Sequence, residues 1–171
     1  MPVNLELKAS HPSLSQAEEC ARAHGADFLE DLRQTDTYFL LPRGRLKLRE
    51  IEGKPSELIY YDRPESTPER WSTYIRERMP SGSGLKTLLT AALGVRTVVK
   101  KERRVFLYKG ARIHLDRVEG LGTFLEFEVP AGKDRGEESL MRQLRALFGI
   151  EERAIVALSY ADMSEQTAGR E

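Results

Sequence analysis

The chain has 171 residues, of which 40% are apolar and 32% charged, and its 27 lysines and arginines balance its 27 aspartates and glutamates. One domain of this size can bury a hydrophobic core without disulfides or a structural metal, and the balanced charge argues against a nucleic-acid-binding protein. The single cysteine, Cys20, excludes an intrachain disulfide, no apolar run is long enough to span a membrane, and the charged N-terminus does not resemble a signal peptide, so we expect a cytoplasmic location.

Apolar residues recur with a period of two or of 3.6 along most of the chain, which predicts strands and short amphipathic helices. In chain order the predictions are a strand over Val3–Ala9, a helix over Ser13–Gly25, strands over Phe28–Leu41, Arg45–Glu52, Glu57–Arg63 and Trp71–Arg78, a helix over Ser83–Gly94, strands over Val95–Lys109, Ala111–Val118 and Thr123–Val129, and a helix over Asp134–Gly149. The remaining stretches, 52–55, 64–70 and 164–171, are predicted as two loops and a flexible tail. A single domain therefore covers 1–163.

Short turns join several of the predicted strands. Pro42–Gly44, Lys109–Gly110 and Glu119–Gly122 are tight connections, and turns of this length require antiparallel neighbours. The predicted fold class is α+β, mainly antiparallel β, with eight strands in a meander and about three covering helices.

Four of these strands carry one densely charged face, because side chains two apart lie on the same side of a strand. The charged faces consist of Asn4, Glu6 and Lys8; Arg45, Lys47 and Arg49; Arg112, His114 and Asp116; and Glu126 and Glu128. The plain interpretation is that each face points to water. The alternative is that the sheet closes with these faces inward, where a metal-bound polyanion would pair both signs of charge.

Those residue types suit a phosphate ligand and a hard cation. Carboxylates at close range repel each other and favour Mg²⁺ or Mn²⁺, which take oxygen ligands. Lysine and arginine donate charge-assisted hydrogen bonds to phosphate oxygens, each worth roughly 1.5–3 kcal/mol. His114, a lone histidine on a polar strand face, is predicted to be a hydrogen-bonding neighbour rather than a catalyst.

Motifs along nearly the whole chain resemble the CYTH family, which includes class IV adenylyl cyclases and thiamine triphosphatase. The family signature Glu-any-Glu-any-Lys stands here as Asn-Leu-Glu-Leu-Lys over 4–8, followed by Arg-Leu-Lys-Leu-Arg over 45–49 and Lys-Glu-Arg over 101–103. The most specific match is the run His-Leu-Asp-Arg-Val-Glu-Gly-Leu-Gly-Thr-Phe-Leu-Glu-Phe-Glu over 114–128.

The resemblance implies an eight-stranded closed barrel, a triphosphate tunnel, with Mg or Mn as the cofactor. Carried over by position, the metal ligands are Glu6, Asp116, Glu126 and Glu128, the catalytic residues are Glu6, Lys8 and Asp116, and the triphosphate is bound by Lys8, Lys47, Arg49, Arg63, Arg76, Lys101 and Arg103. Asn4 departs from the family by replacing the first signature carboxylate, which puts a second metal site in doubt. Arg63 would need a bulge to reach the inner face, because Asp62 stands where the family carries a lysine.

The stretches GRLKLRE, YYDRP and HLDRVEGLG resemble the class IV adenylyl cyclase branch, which converts ATP to cyclic AMP and pyrophosphate. Two alternatives remain open: a triphosphatase acting on an inorganic, thiamine or nucleoside triphosphate, and a noncatalytic nucleotide or polyphosphate sensor. The expected partner is a small molecule containing a triphosphate. Homodimer formation is left open.

Overall fold

The structure is a computed structural model that describes residues 3–62, 69–132 and 136–169. In chain order the elements are β1 (Val3–Ser10), α1 (Leu14–Ala23), β2 (Asp27–Phe39), β3 (Arg45–Ile51), β4 (Ser56–Asp62), β5 (Arg70–Met79), α2 (Ser83–Leu93), β6 (Val95–Tyr108), β7 (Ala111–Val118), β8 (Gly122–Pro130), α3 (Glu137–Leu147), a short 3-10 helix (Glu152–Ala154) and α4 (Tyr160–Ala168). In these ranges, no helix is long and apolar enough to cross a membrane.

The eight strands form one closed antiparallel barrel in the order β1-β5-β4-β3-β2-β6-β7-β8, which confirms the predicted fold class. Consecutive hairpins build β2 to β5 and β6 to β8, and β2 joins the two runs by pairing with β6. The barrel closes because β1 pairs with β5 on one side and with β8 on the other.

The predicted turn chemistry is confirmed at the hairpin between β6 and β7. Lys109 and Gly110 both have positive φ, 49° and 82°, and they connect the paired residues Tyr108 and Ala111. A two-residue turn with two left-handed residues matches the right-handed twist of the strands it joins.

A hydrophobic core lies between the outer face of the barrel and helices α1 and α3. Leu5 and Leu7 of β1 and Phe127 of β8 are buried against it, together with Ala21 of α1 and Leu144 of α3. Because alternate side chains point to opposite faces, this packing turns the charged faces of β1, β7 and β8 into the barrel. Lys47 and Arg49 of β3 also face the barrel interior. The interpretation that these charged faces point to water is therefore wrong.

Helix α2 differs from the covering role predicted for it. It contacts β2, yet none of its residues is buried, and Leu88 is 61% exposed. The apolar composition of α2 predicts the helix but not its burial, and the helix lies on the barrel surface, where it contacts β2 and where its Lys86 pairs with Glu50 of β3.

Residues 160–168 form helix α4, a fourth helix where about three were expected, and this helix includes the first part of the predicted tail. Ser159 and Asp162 form a capping box at its start. Tyr160 and Ala161 are buried at one end of the barrel interior, against Tyr38 and Phe124. The tail lacks a strong apolar period, and its helix is stabilised by the cap and by insertion into the barrel end.

Asp162 also fixes α4 to the barrel, since it accepts hydrogen bonds from Arg45 (3.0 Å) and Arg96 (2.7 Å). Burial alone would raise the pKa of Asp162, but its hydrogen bonds with Arg45, Ser159 and Arg96 hold that pKa below its usual range.

We expect Asp162→Asn to lower the free energy of unfolding by about 1–3 kcal/mol, measured by urea denaturation, because charge-assisted bonds are lost. Glu165→Gln removes a more exposed partner of Arg96 and should cost less than about 1 kcal/mol. Equal losses in both variants would contradict this role.

Candidate functional site

The interior of the barrel holds a cavity of about 660 Å³ that residues from all eight strands line. Its charged lining consists of nine basic residues, Lys8, Lys47, Arg49, Lys54, Arg76, Arg78, Lys101, Arg103 and Arg112, and five acidic ones, Glu6, Glu30, Glu57, Glu126 and Glu128. A volume of this size is in the range of small-molecule binding sites.

Tyr160 of α4 forms part of the wall at one end of the cavity. The Lys8 ammonium lies 3.9 Å from the centroid of its ring, and the Lys101 ammonium lies 5.0 Å away. Lys8 also donates to the carbonyl of Leu158, 3.2 Å away, just before the helix. The C-terminal segment therefore contacts two of the predicted phosphate-binding lysines.

A cluster on β2, β3 and β6, called here the Asp36 cluster, gathers Lys47, Arg49 and Lys101 around the buried carboxylate of Asp36. Arg49 donates from Nε and Nη2 to the two oxygens of Asp36, at 2.8 and 2.7 Å. Lys47 Nζ lies 3.2 Å and Lys101 Nζ 3.6 Å from Asp36 Oδ2. Burial alone would raise the pKa of Asp36, but the positive charges of Arg49, Lys47 and Lys101 hold it well below its usual range.

Two further basic residues, Arg76 and Arg78, lie on β5 beside Glu57 of β4. Arg78 Nε donates to Glu57 at 3.0 Å, and Arg76 lies 3.8 Å from the same carboxylate. All three side chains line the cavity, so the predicted site residue Arg76 is brought to the site. The cations on this side of the cavity therefore come from β3, β5 and β6, and the strands between them carry the acids Asp36 and Glu57.

The opposite wall, on β8 and its neighbours β1 and β7, carries Glu126 and Glu128. Asn4 donates from Nδ2 to Glu128, and His114 Nε2 lies 3.7 Å from the same carboxylate. Burial and the negative charge of Glu126 raise the pKa of Glu128. Burial and the charge of Arg103 lower the pKa of His114 to about 3, so its imidazole is neutral at pH 7.

Asp116 lies behind this wall, fully buried and already hydrogen-bonded. Arg103 donates to both of its oxygens, at 2.7 and 2.6 Å, and Tyr160 donates its hydroxyl at 2.7 Å. Arg103 also reaches Glu126 at 2.9 Å. Because three donors occupy Asp116, its predicted roles as metal ligand and catalyst would require it to exchange these bonds, and they stay predictions.

The acidic wall suits a divalent cation in its chemistry. Two carboxylates stand two residues apart on one face of β8, and the charge of one raises the pKa of the other, a repulsion that a bound cation would relieve. Glu6, from adjacent β1, pairs with β8 through Glu128 and lines the same cavity. In the described ranges, no three His, Cys, Asp or Glu side chains already form a metal-binding group. Carboxylate oxygens are the donors that Mg²⁺ and Mn²⁺ take, so the chemistry of Glu6, Glu126 and Glu128 fits either ion.

Two buried side-chain atoms lack a hydrogen-bond partner in the part of the chain that the structure describes, and both belong to residues lining the cavity. They are Gln34 Oε1 on β2 and His114 Nδ1 on β7. A buried polar atom without a partner costs about 1–3 kcal/mol. Both atoms are therefore positioned to gain hydrogen bonds from a ligand or from water in the cavity.

The structure brings nearly all the predicted site residues together. The cavity is lined by Glu6, Lys8, Lys47, Arg49, Arg76, Lys101, Arg103, Glu126 and Glu128. Asp116 lies behind the wall, and Arg63 lies outside the described residues.

Sequence reasoning missed Asp36, Glu57, Arg78 and Tyr160. Arg45, which shares the charged strand face with Lys47 and Arg49, binds Asp162 of α4 and does not line the cavity. The alternation of Gln34, Asp36 and Tyr38 could have identified Asp36 as an inward residue. Tyr160 carries no comparable signal, because its place in the site depends on how the C-terminal segment packs.

The family model of the CYTH domain matches residues 3–156 of the chain. The PH1012 protein of Pyrococcus horikoshii has a similar structure, with a TM-score of 0.85, 23% identity and coverage of 93% of this chain and 98% of that chain. A Vibrio parahaemolyticus protein described as an adenylate cyclase candidate gives a TM-score of 0.77, 19% identity and coverages of 95% and 97%. HpAC1 from Hippeastrum has a TM-score of 0.67 and 15% identity, and the match covers 99% of this chain and 96% of that chain. At these identities the likeness shows the fold, and the comparison with curated proteins gave no significant match.

Proposed function

Because the chain belongs to the CYTH domain family, we propose that it is a metal-dependent enzyme acting on a triphosphate bound inside the barrel, with adenylyl cyclase-like conversion of ATP to cyclic AMP and pyrophosphate as the leading reaction. The observation that carries the proposal is the clustering in one cavity of cations from β3, β5 and β6, called the cationic wall, and of Glu126 and Glu128 with Glu6 on β8 and β1, called the carboxylate wall. A triphosphate with a divalent cation is a ligand that satisfies both walls at once.

In this proposal the cationic wall binds and orients the phosphates. Lys47, Arg49 and Lys101 lie on one side, and Arg76 and Arg78 on the other side of β4. Lys8 stands on β1, where its register partner on β8 is Glu126, and in this proposal its ammonium would bind the phosphates next to the carboxylates. Positioned donors of this kind neutralise charge that develops on phosphoryl oxygens during transfer.

The carboxylate wall would hold Mg²⁺ or Mn²⁺ through Glu126 and Glu128, with Glu6 alongside. When bound, the cation would act as a Lewis acid on the phosphate oxygens. Asn4 replaces one signature carboxylate and donates to Glu128, so this wall carries less negative charge than the full signature would supply. We therefore assign one cation to the site.

Hydrolysis of the triphosphate is the second candidate, and it would use the same two walls. It is favoured by the neighbour HpAC1, an adenylyl cyclase candidate whose structure is described as revealing a dominant triphosphatase activity. Cyclisation uses the ribose 3′-hydroxyl as the nucleophile, whereas hydrolysis uses water, and both need the same neutralisation of phosphate charge.

The deciding experiment incubates the protein with ATP, thiamine triphosphate and tripolyphosphate, each with Mg²⁺ or Mn²⁺, and identifies the products. Cyclic AMP with pyrophosphate would support cyclisation, and orthophosphate release would support hydrolysis. Binding without any product would instead indicate the noncatalytic sensor. If none of the three compounds binds or reacts, the proposal of a triphosphate enzyme is wrong.

A further inference from the structure

Asp36 is a buried acid at the centre of the cationic wall, where a polyanion-binding site would be expected to carry only positive charge. Its side chain is fully buried, and the carboxylate contacts Lys47, Arg49 and Lys101 within 3.6 Å. The two strands that flank β2 in the barrel, β3 and β6, supply these cations.

We propose that Asp36 is a positioning residue for triphosphate binding, which holds Lys47, Arg49 and Lys101 as one preorganised set of donors facing the cavity. This inference rests on the proposed function and deepens it. Asp36 does not touch the triphosphate itself and acts through the three cations.

The geometry leaves donors available for a ligand. Arg49 uses Nε and Nη2 for the two oxygens of Asp36, which fixes the plane of its guanidinium group and leaves Nη1 for another acceptor. Each lysine ammonium carries three N–H groups, and only one can point along its contact with Asp36. Fixing long side chains before binding reduces the ordering cost that the ligand would otherwise meet.

The charges support the same role. Burial and the nearby charge of Arg103 lower the pKa of Lys101 well below its usual value, while the negative charge of Asp36 opposes that shift. Removing Asp36 would leave Lys47, Arg49 and Lys101 to repel one another in a buried setting. The three side chains would then turn apart, and the loss of their common orientation weakens a phosphate site.

Asp31 offers a matched control on the same strand. It accepts from Nε and Nη2 of Arg104 at 2.7 and 2.9 Å, the same two-point geometry that Asp36 makes with Arg49. However, its side chain is 57% exposed and it does not line the cavity. Asp31→Asn therefore changes an equivalent ion pair away from the site.

The test measures tripolyphosphate binding by isothermal titration calorimetry and Mn²⁺ binding by electron paramagnetic resonance. We expect Asp36→Asn to weaken tripolyphosphate binding at least about tenfold, with Mn²⁺ affinity kept within about twofold. Asp31→Asn should leave both affinities unchanged. Asp36→Glu keeps the charge but moves the carboxylate by one methylene, and it should also weaken tripolyphosphate binding.

Several results would overturn the inference. If Asp36→Asn binds tripolyphosphate as tightly as the unchanged protein, or more tightly, Asp36 only competes with the phosphate for the cations. If Asp36→Asn does not fold, as judged by circular dichroism, Asp36→Glu and Arg49→Lys decide, because both keep the charge and disturb the two-point contact. Undiminished binding in both would overturn the proposal. Failure of the unchanged protein to bind tripolyphosphate, ATP and thiamine triphosphate alike would instead refute the proposed function, and the role of Asp36 with it.

Discussion

Replacing Glu128 with glutamine is expected to abolish turnover and to weaken Mn²⁺ binding by at least about 100-fold, because the variant removes one of the two negative charges on the β8 wall. Stability without metal should stay the same or rise. Burial and the charge of Glu126 both disfavour the charged form of Glu128, so a neutral side chain of the same shape relieves an unfavourable interaction.

The measurement is the melting temperature with and without millimolar Mn²⁺, together with product formation from ATP and tripolyphosphate. A cation that binds the folded state stabilises it by RT ln(1 + [L]/Kd), so a 100-fold loss of affinity removes up to about 2.7 kcal/mol of that stabilisation. Glu102→Gln, at a residue that is 63% exposed on the outer face, serves as the control and should behave like the unchanged protein. Full metal-dependent stabilisation and full activity in Glu128→Gln would show that the metal site lies elsewhere.

Replacing Arg103 with methionine is expected to produce the largest loss of stability, about 3–5 kcal/mol, because Asp116 and Glu126 would both lose a charged partner inside the barrel. Burial alone would raise the pKa of Glu126, but the charges of Arg103 and Lys8 hold it well below its usual range. Burial alone would also raise the pKa of Asp116, and the positive charge of Arg103 lowers it below its usual value.

The neighbouring residue Arg104 provides a matched control, since it lies on the same strand and faces outward. Its ion pairs with Asp31 and Glu18 are more exposed, so Arg104→Met should cost about 0–1 kcal/mol. Urea denaturation of both variants tests the difference. The double variant Arg103→Met with Asp116→Asn should recover part of the lost free energy of unfolding, because it neutralises one of the two carboxylates that Arg103 no longer pairs. Equal stability of Arg103→Met and Arg104→Met would contradict the assignment.

The parity of charged residues predicted most of the site. Glu6 and Lys8 share a face of β1, and Glu126 and Glu128 share a face of β8, and the structure places all four in the cavity. Parity works here because a strand repeats every two residues, so local sequence determines which side chains lie together.

The partners of those side chains were not predictable in the same way. Asp116 has the parity of an inward residue, but the register between β6 and β7 places Arg103 opposite it, and their contact keeps Asp116 from lining the cavity. Asp36 was missed because it stands between threonines, and no charged triplet marks it. Its role becomes visible only when β3 and β6 bring three cations around it.

The sequence by itself determined the eight strands, the tight turns that make them antiparallel, and which charged side chains share one face of a strand. These features depend on a two-residue period and on turn residues such as Gly110, which act within a few positions of the chain. The tertiary structure decided that the sheet closes through β1, that α4 packs its Tyr160 into the barrel end, and which acid meets which base. Those outcomes depend on strand register and on packing between residues that are distant in sequence, from 13 positions for Arg103 and Asp116 to 124 for Asn4 and Glu128. A local sequence pattern does not specify such contacts.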